Sequence, residues 1–137
     1  MQQPDSEVTV ALAEQMQREA ERAYAAGDLE AILASFDPDI TIIYADFPAI
    51  HGISEARTFI GNRLARQKNY RLKKEFRAIT GNIIAGAWSG SWVDSQTQAI
   101  MHGRGSEFWT MKNGRIALWE ATFNVWADGE QGKTPIV

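Results

Sequence analysis

The order in which two hydrophobic periods occur along the chain restricts its fold more than any other feature. Up to about residue 67 the apolar residues recur at spacings of three and four; from Tyr70 onward they alternate with a period of two. Residues 8–26 read as an amphipathic helix on Val8, Leu12, Met16, Ala20 and Ala23. Gly27 is placed to end it, and Asp28 to cap a second helix, DLEAILASF, with its stripe on Leu29, Ile32, Leu33 and Phe36. Pro38 breaks that pattern, and ITIIY, rich in β-branched residues, is predicted to be a strand. ADFPAIHG, punctuated by Pro48 and Gly52, reads as a loop. Ser54 can cap a third helix, EARTFIGNRLARQ, which turns Ala56, Phe59, Ile60 and Leu64 inward.

The remainder reads as strands. In YRLKKEFRAI, Tyr70, Leu72, Lys74, Phe76 and Ala78 oppose Arg71, Lys73, Glu75 and Arg77. IIAGAWSGSWV sets Ile84, Gly86, Trp88, Gly90 and Trp92 against mostly small residues. A turn near residues 94–97 leads into GRGSEFWTM, whose one side carries Gly103, Gly105, Glu107, Trp109 and Met111. Lys112, Asn113 and Gly114 then form a tight turn into RIALWEATFNVW, and the tail DGEQGKTPIV is expected to fray. Helices first and strands later, without βαβ alternation, predict an α+β fold: a curved, mostly antiparallel sheet wrapped by three N-terminal helices. A length of 137 residues suits one domain, with its core over about residues 8–126. Glycines alternating with tryptophans leave space beside large rings, so a pocket rather than a filled core is expected.

Several function classes are disfavoured by composition. The net charge of −3 and pI near 5.4 give no electrostatic reason to bind nucleic acid or an anionic membrane. The basic run over residues 63–77 alternates, so its charges share one strand face. No apolar run approaches the roughly 20 residues that span a bilayer, and the amino terminus lacks a secretory pattern, so a cytoplasmic location is expected. The absence of cysteine removes disulfides, thiol nucleophiles and thiolate metal ligands. His51 and His102 lack metal-ligand spacing, and no serine sits in a Gly-x-Ser-x-Gly elbow.

Residues 26–42 (AGDLEAILASFDPDITI), the His51-Gly52 entry to the third helix, and residues 108–124 (FWTMKNGRIALWEATFN) carry a resemblance to a known superfamily. Their order resembles the nuclear transport factor 2-like superfamily, which includes SnoaL-like polyketide cyclases and ketosteroid isomerase. The chain also looks like an uncharacterised SnoaL-like family marked by a Tyr-Arg-Leu-x-Lys-Glu strand, here residues 70–75, and a Glu-x-Trp strand, here residues 107–109. The resemblance implies a cone-shaped fold, no cofactor, a small apolar or aromatic ligand, and a homodimer. The outer sheet face, with Ala85, Ala87, Ser89 and Ser91, is where a second copy is expected.

Carried over position by position, the resemblance puts Trp88, Trp92, Glu107 and Trp109 on the pocket side of the sheet. Glu107 falls where ketosteroid isomerase has an acid that donates to the substrate oxygen. Tyr44 falls near that pattern's general-base position, with Asp46 two residues later, and Ala20 at its helical tyrosine. Asn124 takes the place of a cyclase-like acid.

A carboxylate on an apolar face protonates, pairs or finds donors. Glu107 is thus either an acid or base of the site or the partner of Lys74, which interrupts the apolar side of its own strand, unless the alternation is offset by one. Trp88, Trp92, Trp109, Trp119 and Phe123, with Asn124 and Lys74, are expected to hold the ligand, and Glu107, Tyr44 and Asp46 to be catalytic. The function expected is cofactor-free proton transfer of the isomerase, cyclase, dehydratase or hydratase type on a small apolar carbonyl or polyketide-like compound. The alternative is a non-catalytic binding or assembly module on the same fold.

Overall fold

A computed structural model describes residues 8–137. Helix α1 spans Val10–Ala26 and is capped by Thr9, whose hydroxyl accepts from the Leu12 amide at 3.1 Å. Gly27 closes it in the left-handed conformation (φ 66°). Asp28 caps the short α2, Leu29–Ala34, accepting from the Ala31 amide. Helix α3 runs over Gly52–Arg66. It starts two residues before Ser54, and the cap at Ser54 is not formed: Glu55 Oε1 instead reaches back to the His51 amide at 3.1 Å.

Six strands make one sheet in the order β2-β1-β6-β5-β4-β3. They are β1 Phe36–Tyr44, β2 Ile50–His51, β3 Gln67–Thr80, β4 Ile83–Asp94, β5 Ile100–Lys112 and β6 Arg115–Ala127. Neighbouring strands are antiparallel except β1 and β6, which run parallel. The architecture is therefore the α+β cone with a curved, mostly antiparallel sheet.

Three local readings change. Phe36 leaves the second helix and opens β1, which runs on through Pro38 because its pairing with β6 is interrupted between Phe36 and Thr41. Within the expected loop, Ile50 and His51 pair with Ile42 and Thr41 as a two-residue strand. A bulge between Phe76 and Ala78 reverses the β3 alternation, so Ala78 is exposed and Ile79 turns inward.

Strand β3 is an edge, and α1 covers it where it matters most. The Lys74 amide donates to Glu21 Oε2 at 2.8 Å, and Arg18 Nη2 donates to the Lys74 carbonyl at 2.5 Å. Both backbone groups of Lys74 that face the open edge are thereby satisfied, which anchors its side chain over the inner face.

Candidate active site

The sheet register fixes what faces what. Glu107 pairs with Gly86 on one side and Ala121 on the other, and Ala121 pairs in turn with Tyr44. These residues form one row on the inner face, with the Tyr44 and Glu107 backbones two strand spacings apart, roughly 10 Å. Gly86, having no side chain, leaves beside Glu107 the space that Gln17 fills: a Cβ there would sit 3.0 Å from Gln17 Nε2.

Glu107 is 3% exposed and fully engaged. Lys74 Nζ, itself buried, donates to Oε2 at 2.6 Å. The indole N–H groups of Trp109 and Trp119 donate to Oε1 at 2.9 and 3.0 Å. Three donors on two oxygens suit an ionised carboxylate, and the Lys74 ammonium lies 5.4 Å from the Trp109 ring centroid. Of the alternatives left by the sequence, the pairing with Lys74 is the one the geometry contains. Tyr44 and Glu107 do not touch. Trp119 stands between them, its ring edge-on to Tyr44 (centroids 5.4 Å) and its N–H on Glu107.

In front of this wall opens a cavity of about 730 Å³. Tyr44, Tyr70, Trp88, Trp92, Phe123 and Arg63 line it; Glu107, Lys74, Trp109 and Trp119 do not. Tyr70 and Trp92 stack with centroids 5.4 Å apart, and Phe123 lies 4.6 Å from Tyr44 and 5.4 Å from Trp88. The result is a wall of rings suited to a flat apolar molecule.

Arg63 is the residue that the sequence reading missed. It extends the inward stripe of α3, one turn past Phe59, and its guanidinium carbon lies 4.8 Å from the ring centroid of Tyr44, 5.2 Å from Tyr24 and 6.0 Å from Tyr70. It donates to Gln67 Oε1 at 3.1 Å and to the Tyr24 hydroxyl at 3.4 Å. Among the described residues no carboxylate lies within ion-pairing distance of it. Burial works against the Arg63 charge, but the tyrosine oxygens around it, Tyr44 foremost, more than compensate and raise its pKa. The tyrosines themselves are pushed up by burial, Tyr24 to about 12, with Arg63 opposing the rise. They therefore present neutral O–H donors at pH 7. Neither Tyr44 nor Tyr70 uses its hydroxyl to donate to another protein group, and Gln17 Oε1 is the one sealed, unpartnered side-chain polar atom among the described residues. The signal that would have found Arg63 is the one that flagged Lys74: a cation on an otherwise apolar stripe.

Four expected ligand contacts, Lys74, Trp109, Trp119 and Asn124, do not line this cavity. Asn124 lies on the outer face opposite Arg104, exposed, because β6 turns Trp119, Ala121 and Phe123 inward and alternation puts residue 124 outside. Trp109 points behind the Lys74–Glu107 pair and away from the front cavity. Asp46 is exposed on the turn after β1, next to Phe47 on the cavity rim. At the mouth, Asp94 accepts from Arg66 Nε at 2.5 Å and from the Thr97 amide and hydroxyl at 3.0 and 2.7 Å. These donors, Arg66 first, lower its pKa to about 2. Among the described residues no cluster of three His, Asp or Glu side chains could hold a metal ion, and no helix is long and apolar enough to cross a membrane.

Comparison with solved structures finds the same fold repeatedly. An NTF2-like protein of unknown function from Burkholderia pseudomallei is 23% identical over 82% of this chain and 91% of its own, with a TM-score of 0.71. A candidate SnoaL-like polyketide cyclase from Jannaschia sp. CCS1 is 13% identical over 90% and 92%, with a TM-score of 0.74. An LEH-like epoxide hydrolase from M. tuberculosis is 15% identical over 83% and 84%, with a TM-score of 0.65. No curated protein matches the chain. At these identities the likeness speaks to fold alone. The family model of the SnoaL-like domain matches residues 17–119, taking in the latter part of α1, the Lys74 strand and the Glu107–Trp119 wall, and the chain therefore belongs to the SnoaL-like domain family.

Proposed function

We propose that the protein catalyses proton transfer next to a carbonyl in a small, flat, mostly apolar compound, as an isomerase, cyclase, dehydratase or hydratase of the SnoaL-like kind. The observation that carries this reading is Arg63: a half-buried cation ringed by neutral tyrosines, with no carboxylate partner among the described residues, in the wall of an aromatic cavity. Such a site stabilises negative charge developing on a substrate oxygen. The carbonyl oxygen lies toward Tyr44 and Arg63, with the ring system against Trp88, Trp92 and Phe123. A base removes the proton from the adjacent carbon. The electron pair moves to oxygen as an enolate, which Tyr44 O–H and the Arg63 field stabilise. The proton then returns at another carbon or a leaving group departs. We assign the base to Asp46, exposed on the turn beside the rim residue Phe47 and without an ion-pair partner among the described residues. Glu107 is a positioning residue in this reading, holding Trp119 against Tyr44.

The test is deuterium uptake from D₂O into small cyclic ketones, followed by proton NMR. Tyr44→Phe should slow catalysed exchange about 10²-fold or more, as loss of one oxyanion donor does. Asp46→Asn should slow it by about 10²–10⁴. A protein that binds such ketones saturably and never accelerates exchange would be a binding module. That second reading has an observation in its favour: the one carboxylate lining the cavity, Asp94, is fully engaged.

A further inference from the structure

A second cavity, of about 180 Å³, lies on the opposite side of the Lys74–Glu107 pair, between α1, α2 and the inner face of the sheet. Met16, Ala20, Ile32, Trp109 and Trp119 form its walls, and Lys74 reaches its floor. It shares no lining residue with the front cavity. We propose that this chamber is a second binding site, for an uncharged molecule of about one ring that carries a single acceptor oxygen.

Size, charge and hydrogen bonding each narrow the ligand. An apolar cavity of about 150 Å³ accommodates benzene, so this one takes a six-membered ring with one small substituent. Ala20 supplies the room: it is half-buried on α1, and a larger side chain there would occupy the chamber. Lys74 Nζ has three donors, of which Glu107 takes one, and no other protein acceptor engages it. A ligand oxygen at the floor completes that set. The oxygen is neutral because the charges at the chamber are already matched, Lys74 by Glu107 and Glu19 in the wall by Arg22. An anion would find no unmatched cation here, whereas the front cavity offers it Arg63. Only the front cavity thus offers a cation without a carboxylate partner among the described residues, and the second site does not depend on the reaction proposed for the first.

The experiment is ¹⁹F NMR titration of the full-length protein with 4-fluorophenol and with fluorobenzene. Saturable binding of 4-fluorophenol is expected, weakened at least tenfold by Ala20→Phe, which fills the chamber, and unchanged in Arg63→Met, which alters the front cavity. Fluorobenzene should bind about tenfold more weakly, for want of the hydrogen bond to a charged donor. Should Ala20→Phe fail to fold, Met16→Trp blocks the same wall. No saturable binding at millimolar 4-fluorophenol overturns the proposal. So does binding that survives the chamber-filling variant and disappears in Arg63→Met. Equal affinity for fluorobenzene overturns the role given to Lys74.

Discussion

At the scale of single residues, the interior turns on charges that two apolar faces should not contain. Lys74 was legible as an anomaly in its strand, and Glu107 in its own, because each breaks an alternation of apolar residues. Their pairing was legible only as one alternative among several, since it depends on β4 lying between β3 and β5 so that both side chains share the inner face. Removing either charge leaves the other buried and unpaired, so Lys74→Met and Glu107→Gln should each cost about 3–5 kcal/mol in denaturant unfolding. The double variant should recover a large part of that loss, because two uncharged side chains replace an orphaned ion. Single variants as stable as wild type would remove the pair from the account of the core. Asp94 makes a second residue-scale prediction. Its folded-state pKa of about 2 lies below the ordinary 3.8, so its contribution is present above about pH 4 and is lost as pH falls toward 2. Asp94→Asn should flatten that stretch of the acid-unfolding profile.

Whole elements were read with less success at their ends than in their middles. The alternation read in β4 and β5 correctly sorted inner from outer residues, since a buried face imposes period two wherever pairing is regular. It failed in β3 beyond Phe76, where a bulge inserts a residue, and a bulge leaves no mark on composition. Asn124 was misplaced for a different reason: a family position overrode a parity that the strand itself displays. Close approach also belongs to this scale. A Cβ on Gly105 would sit 2.0 Å from the Thr122 carbonyl oxygen and 2.5 Å from the Phe123 Cβ, both held by the β5–β6 pairing. Gly105→Ala should therefore destabilise the protein by about 1–3 kcal/mol or more in thermal unfolding. Gly61, inside α3, meets nothing within 4 Å, and Gly61→Ala should raise stability by about 0.5–1 kcal/mol. Opposite signs from two glycines would separate crowding between strands from helix propensity.

For the molecule as a whole, the outer sheet face is the remaining question. Ile43, Phe108 and Ile83 are exposed there at 42, 47 and 39%; Ile43 and Phe108 share one cross-strand row through Glu120, and Ile83 lies in the neighbouring row with Thr110 and Leu118. A second copy packed on this face would cover them, so sizing across a dilution series should give a dimer, and Phe108→Lys should shift it toward monomer. A wild-type monomer at micromolar concentration would count against that interface. What the linear order of residues dictated was the class of fold and the sidedness of its strands, because burying one face of a helix or strand forces a period that composition must obey. What only folding decided was which groups meet. Tyr24, Tyr44, Arg63 and Tyr70 come from two helices and two strands, and no local period relates them. They converge because β1 pairs parallel with β6 while α3 packs against β1 and β3, and that arrangement sets neutral donors around Arg63 while the one lining carboxylate, Asp94, stays tied to Arg66 at the mouth.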